Sequence, residues 1–265
     1  MKSITSCKNS IFKQLVRLNE SSKKRRTSGL TILDGIHLVS SYYKRIGLPR
    51  YLFINESSHK NTEINELLNL KDSKTVEVYV LSDSLFCNIS PVKVPTGIIA
   101  LVTIPAPEDI TVSNSDVFCT LLESVQDPGN LGSILRSAAV AGVCDIYMSG
   151  DCADAWSPKT LRAAMGAHFL LRIHEKSDLA KIAQEFKGNV IATALKSDKS
   201  LYELSLKGPT AFIFGNEGSG ISEIMYQSAN EKVTIPMQGK SESLNVAAAA
   251  AVCFFERVRQ FQVPK

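Results

Sequence analysis

None of the cysteines in this 265-residue chain forms a CxxC pair, and no Cys/His cluster has the spacing of a zinc site. Cys7, Cys87, Cys119, Cys144, Cys152 and Cys253 are scattered, which predicts reduced thiols in a cytoplasmic protein that holds no metal. Long apolar runs are also missing. The longest, Val246 to Phe255, is ten residues, about half a membrane span, so no membrane partner is expected. The first eight residues place no apolar run before their second lysine, which argues against a signal peptide or lipoprotein leader. Strong net charge is absent too: 30 basic against 26 acidic residues leave +4. With 44% hydrophobic and 21% charged residues, the composition excludes a wholly disordered, collagen-like or membrane-embedded chain.

The charge that is present is unevenly spread. Residues 1–50 carry 11 Lys/Arg against two acids, Glu20 and Asp34, a net of +9, whereas residues 116–265 carry 15 basic and 16 acidic residues, a net of −1. Lys23, Lys24, Arg25 and Arg26 stand together in a polar stretch, Ser21 to Gly29, which reads as a loop. A first helix is predicted within 4–18 from apolar residues at Ile11, Phe12, Leu15, Val16 and Leu18. Strands at 30–33, 51–54, 76–81 and 98–104 alternate with helices at 36–46 and 63–70 and a helical turn at 84–89, a small α/β domain over 1–105. The proline-bearing stretch 106–115 reads as a linker. The alternation restarts over 116–265, with strands at 117–122, 146–148, 169–173, 190–194, 211–214 and 233–235. Helices are predicted at 131–141, 158–164, 179–186 and about 244–261. Strands this apolar predict a mostly parallel sheet covered on both faces.

In such sheets ligands bind where strands end and helices begin. Three junctions of the second domain are rich in Gly, Asn and Ser. In the first, Asp127-Pro128-Gly129 makes a turn, Asn130 is placed to cap the next helix, and Gly132 lies one turn from Arg136, leaving room beside the guanidinium. The second, Gly215-Asn216-Glu217-Gly218-Ser219-Gly220, follows an apolar strand. Its spacing is GxxGxG and not the GxGxxG of dinucleotide sites, which disfavours an enzyme using another nucleotide cofactor. The third runs from Ile235 to Val246 into an Ala-rich helix, with Ser243 and Asn245 at its start. Helix capping and plain turns account for each junction taken singly.

Together, in this order, the segments Asn130-x-Gly132-x-x-x-Arg136, Gly215-x-Glu217-x-x-Gly220 and Ile235-Pro236-Met237-x-Gly239-x-x-x-Ser243-Leu244-Asn245-Val246 resemble the SpoU (TrmH-like) RNA ribose 2′-O-methyltransferases of the SPOUT superfamily. Ser157-Pro158-Lys159, Arg162-Ala163 and Gly166-Ala167 resemble a family segment between the first two motifs. The front domain is similar to the family's L30e-like RNA-binding module, with Asp34-Gly35 where Glu-Gly is usual; Ala247 replaces a usual serine. The resemblance implies an α/β trefoil knot, a homodimer formed through the C-terminal domain with both subunits building each site, and S-adenosylmethionine as methyl donor. Thr193, Ala194, Leu195, Gly215, Ile235, Met237 and Leu244 would hold that cofactor. It implies an RNA substrate, ribosomal RNA ahead of transfer RNA. The excess of positive charge in residues 1–50, centred on Lys23, Lys24, Arg25 and Arg26, would then supply attraction to phosphate. Arg136 is the implied catalytic residue. A guanidinium keeps its proton at neutral pH, so its expected task is to hold the target phosphate and stabilise the developing alkoxide, with proton loss assisted by that phosphate. Asn130, Glu217, Ser243 and Asn245 would orient Arg136 and the ribose. An RNA-binding protein with a degenerate catalytic half is the alternative, which intact motif residues disfavour.

Overall fold

The computed structural model describes residues 1–70, 75–90, 92, 95–107, 117–195, 197–240 and 242–262. A short strand, β1 (Lys2–Ile4), ends on Ile4, the residue at which the predicted helical stretch begins. That helix, α1 (Ser10–Glu20), starts later because the side chain of Asn9 accepts from the N–H groups of Ile11 and Phe12, and it buries Phe12, Leu15 and Leu18. The four cations do not lie in a loop. Ser21 caps a second helix, α2 (Ser22–Ser28), and Gly29 ends it in the left-handed conformation at φ 63°. Arg25 is buried (4% exposed), and its guanidinium donates to the carbonyls of Leu18 and Asn19 at the end of α1. It therefore satisfies helix-terminal carbonyls and is not available to phosphate, which corrects the expectation for this residue.

The chain continues through β2 (Leu30–Asp34), α3 (Ile36–Arg45), β3 (Tyr51–Asn55), α4 (Thr62–Leu68), β4 (Glu77–Leu81), α5 (Asp83–Ile89) and β5 (Ile98–Thr103). These strands form one sheet in the order β1-β4-β3-β5-β2, with β5 antiparallel to both neighbours. Phe53 stacks on Tyr79 at 5.4 Å within its core. Residues 108–115 of the expected linker lie outside the described residues.

The second sheet is built from β6 (Phe118–Leu122), β7 (Asp145–Met148), β8 (Arg172–His174), β9 (Asn189–Thr193), β10 (Thr210–Phe214) and β11 (Glu231–Val233). Its helices are α6 (Pro128–Ala141), α8 (Leu179–Glu185), α9 (Glu223–Gln227) and α10 (Val246–Gln262), with α7 (Pro158–Ala164) between β7 and β8 in the chain. The strand order is β11-β9-β10-β6-β7-β8, and every pairing is parallel. All strand exits therefore lie on one edge. The central strands β6 and β10 are buried throughout, as their unbroken apolar runs predict. Phe254 of α10 meets the rings of Phe118 and Phe214 edge-on at 5.7 and 5.6 Å, and α10 also packs along α6.

Three details depart from the sequence expectation. The strand expected at 169–173 begins only at Arg172, because Ala167–Leu170 forms a turn of 3-10 helix. The five-residue α9 is too short for its periodicity to register. Trp156–Phe169, placed by sequence in the continuous second domain, groups instead with residues 1–105. There α7 packs on β2, the Thr31 hydroxyl donates to the Trp156 carbonyl (2.7 Å), and Phe169 meets Tyr42 edge-on at 5.3 Å.

One polar cluster interrupts the second sheet. Asp145 on β7 accepts a two-pronged bond from Arg172 and a bond from His174 Nε2 (2.9 Å) on β8, while Tyr147 stacks on His174 at 4.6 Å. Burial pushes the Asp145 carboxyl up, but the bonds from His174 and Arg172 outweigh it and hold the group below the usual Asp value. A depressed folded-state pKa contributes stability that is present above the unfolded value of about 3.9 and is lost as pH falls through the folded one. Asp145→Asn should thus cost about 2 kcal/mol at pH 7 in chemical unfolding. The gap to wild type should narrow as pH falls below the unfolded value; a gap that stays constant would contradict the assignment.

Candidate active site

A cavity of about 690 Å³ lies at the exit edge of the parallel sheet. Its walls are Thr193, Ala194 and Leu195 after β9, the glycine turn from Gly215 to Ile221 after β10, and Thr234, Ile235 and Met237 after β11. Ser243, Leu244, Asn245 and Val246 at the approach to α10, with Asn130 of α6, complete it. All seven residues expected to hold a cofactor line this space, together with Asn130, Glu217, Ser243 and Asn245. Arg136 does not. It is exposed on α6, two turns beyond Asn130, and makes no hydrogen bond or ion pair with any described residue. Gly132 is buried, so it does not provide the open space beside the guanidinium that spacing suggested.

Asn130 is not the helix cap either. Asp127 takes that role, accepting from Gly129 N–H (2.7 Å) and Asn130 N–H (2.9 Å) with Pro128 at the first helical position. The Asn130 side chain is thereby released for a longer-range task. Its Nδ2 donates to Glu217 Oε1 (3.0 Å), and its Oδ1 accepts from Asn245 Nδ2 (2.9 Å). Asn245 Oδ1 accepts in turn from the N–H groups of Ala247 (2.9 Å) and Ala248 (3.3 Å), capping α10. A carboxylate only accepts and a backbone N–H only donates, so both amide orientations are forced from the two ends of this chain.

Glu217 also accepts from the N–H groups of Asp127 (3.1 Å) and Gln126 (3.2 Å), tying the glycine turn to the loop after β6. Partial burial pushes its carboxyl up, but donation from Asn130, Asp127 and Gln126 outweighs this and holds it below the usual Glu value. It is an anchored anion at neutral pH and not a poised base. A second clasp joins the same two loops, where Glu123 accepts from both the N–H (2.7 Å) and hydroxyl (2.6 Å) of Ser222.

The glycine turn closes on itself. Asn216 and Gly220 exchange backbone bonds of 2.9 and 3.0 Å, and a Cβ on Gly215 would stand 2.2 Å from the Gly220 carbonyl oxygen. Gly220 itself has φ 73°. Asn216, Glu223 and Tyr226 were missed as wall residues. An Asn between glycines is a turn signal that points to Asn216, whereas Glu223 and Tyr226 reach the cavity only through the short α9.

A model of the SpoU rRNA methylase family matches residues 118–255 of this chain. The chain belongs to the SpoU rRNA methylase family. A model of the MRM3-like substrate binding domain matches residues 9–100, so the SpoU part carries the cavity and the front part matches a substrate-binding domain. An uncharacterised tRNA/rRNA methyltransferase of Synechocystis is 33% identical over 97% of this chain and 94% of its own length. A 23S rRNA guanosine 2′-O-methyltransferase of Bacillus subtilis is 30% identical over 96% of this chain and 98% of its own. Among solved structures, the SpoU methyltransferase AviRb of Streptomyces viridochromogenes in complex with AdoMet aligns with a TM-score of 0.82 at 27% identity, covering 96% of this chain and 99% of AviRb. Among the described residues, no group of His, Cys, Asp and Glu could hold a metal ion, and no helix is long and apolar enough to cross a membrane.

Two glycines of the SpoU turn should respond differently to one added methyl group. Gly215→Ala drives a Cβ into backbone and should cost about 1–3 kcal/mol in chemical unfolding. Gly218→Ala meets only Asn216 Oδ1 at 3.5 Å and should stay within about 0.5 kcal/mol of wild type. Equal losses would contradict the closed turn.

Proposed function

We propose that this chain, an RNA 2′-O-methyltransferase of the SpoU family, binds S-adenosylmethionine in the strand-edge cavity and methylates a ribose 2′-hydroxyl of ribosomal RNA. The observation that carries this reading is the convergence of three separate motif segments on one cavity, whose volume suits a nucleoside-bearing ligand. The residues present fit such a group. Leu195, Met237 and Leu244 line the space yet remain 64%, 37% and 42% exposed, offering apolar faces to a purine. When bound, the cofactor supplies the activated methyl carbon; the chain must hold the hydroxyl and stabilise the charge that develops on it.

Asn130 and Asn245 each commit one N–H of the side-chain amide to the network and keep a second. These two donors, pre-oriented by Glu217 and the α10 cap, are suited to the ribose oxygen as its proton leaves. Arg136 binds the target phosphate and neutralises the same charge. Its place outside the cavity of its own chain fits a homodimer in which both subunits build each site. Ser133, Arg136 and Val140 share the exposed face of α6, Val140 is 71% exposed, and Phe255 of α10 is 46% exposed. The knotted path of the C-terminal segment belongs to the same reading, as does a cytoplasmic location. The Bacillus relative is named for 23S rRNA, which favours ribosomal over transfer RNA. In the front domain, Lys23, Lys24 and Arg26 supply the attraction to phosphate, without the inward-turned Arg25.

Labelled methyl transfer into RNA from a strain lacking the gene, followed by mapping of the alkali-resistant linkage, tests the reaction. Arg136→Ala should lower kcat by about 100-fold or more, as removal of a charge-stabilising donor does, with calorimetric affinity for S-adenosylmethionine within threefold (~0.7 kcal/mol) of wild type. Near-normal turnover would remove Arg136 from the mechanism. Joint replacement of Lys23, Lys24 and Arg26 by Ala should flatten the log–log salt dependence of RNA binding by about 2. Arg25→Ala should instead lower the unfolding midpoint and leave that slope unchanged.

A further inference from the structure

Ser124, in the loop after β6, has a left-handed backbone at φ 54°, a conformation that residues with a Cβ avoid unless their surroundings hold them there. Every polar group of Ser124 is engaged. Its N–H donates to Ser149 Oγ (2.9 Å), its hydroxyl donates to the Asp151 carboxylate, and its carbonyl accepts from Asn216 Nδ2 (2.8 Å). Ser149 donates its own hydroxyl to the other oxygen of Asp151, so one carboxylate gathers both hydroxyls of the clamp. On the cavity side, Asn216 Oδ1 accepts from the N–H groups of Gly218 (2.9 Å) and Ser219 (3.1 Å). Ser124 is thus the joint between the loop that follows β7 and the glycine turn. Ser124, Ser149 and Asp151 do not themselves line the cavity, and none of the three family-like segments includes them, although Ser124 stands in the first of the three junctions.

We propose that Asp151, acting with Ser149, is a positioning residue of the methyl-transfer site: it holds Ser124 left-handed, aims the Ser124 carbonyl at Asn216, and so sets the shape of the glycine turn. This rests on the reading of the cavity as the S-adenosylmethionine site. The hydroxyls of Ser124 and Ser149 hold the Asp151 carboxyl below the usual Asp value, so the clamp stays charged throughout the neutral range. Asp151 is exposed, and its removal takes nothing from the hydrophobic core.

What matters in this arrangement is the backbone conformation of Ser124 and not the hydroxyl as such. Ala and Gly at position 124 both delete the hydroxyl, but only Gly enters the left-handed region without a side-chain clamp. The experiment measures S-adenosylmethionine affinity by calorimetry, and kcat and KM for methyl transfer, for wild type, Asp151→Ala, Ser124→Ala, Ser124→Gly and the Asp151→Ala/Ser124→Gly double variant. Asp151→Ala and Ser124→Ala should each weaken cofactor binding about tenfold and raise KM more than they lower kcat. Ser124→Gly should stay within about threefold of wild type, and the double variant should recover most of the loss caused by Asp151→Ala. Equal damage from Ala and Gly at position 124, wild-type affinity in Asp151→Ala, or no recovery in the double variant would each overturn the proposal. If Ser124→Ala fails to fold, the Asp151→Ala pair alone decides. Absence of cofactor binding by the wild-type chain would instead overturn the cavity assignment on which the inference stands.

Discussion

The carboxylate of Glu217 accepts three N–H bonds from the loop and first helical turn that follow a different strand, and the shape of the site follows from that constraint. Bonds to a charged acceptor are the stronger kind, and three of them converging on one carboxylate tie two irregular segments together. Through Asn130 and Asn245 the constraint reaches the first turn of α10, so three strand exits and two helices share one chain of donors and acceptors. The same anchoring takes Glu217 out of proton chemistry. What remains for the protein is placement and fixed dipoles, which suits a reaction whose electrophile is carried by the cofactor.

The three motif segments were legible in sequence because glycine, asparagine and serine at strand exits announce themselves residue by residue. Partnerships were not. Nothing in the run Asp127 to Asn130 says which of two good capping residues takes the cap; only the position of Glu217, some ninety residues later, requires the Asn130 side chain elsewhere. The four cations read as a solvated loop because charge hides helical propensity. Ser21 and Gly29 were the cap signals, and the buried face of α2 is supplied by an arginine, a residue that pattern reading assigns to solvent. The short α9 escaped because five residues contain too little of a 3.6-residue period to show one.

Gly132 and Arg136 illustrate a different limit. Their spacing places them near one another on a helix, yet one is buried and the other faces outward. An i, i+4 pair shares a face only in part, about 40° apart around the axis, and a helix packed along one edge puts its boundary between them. The family resemblance therefore named Arg136 as the catalytic candidate, and helical spacing did not say which surface it serves. The charge asymmetry was sharpened in the same way: the basic front domain keeps its excess, but one of its cations belongs to the fold's interior.

The grouping of Trp156–Phe169 with the first 105 residues makes the front domain discontinuous. A fragment ending at residue 105 leaves β2 without α7 and Thr31 without its acceptor. During synthesis, the last segment of the front domain ends at residue 169, a further 64 residues after Pro105, or roughly 3–13 s at typical elongation rates. The start of the methylase domain, including β6, α6 and β7, emerges in that interval. The two domains of this enzyme are thus interleaved in time on the ribosome: the one that begins first is completed only after the other has started.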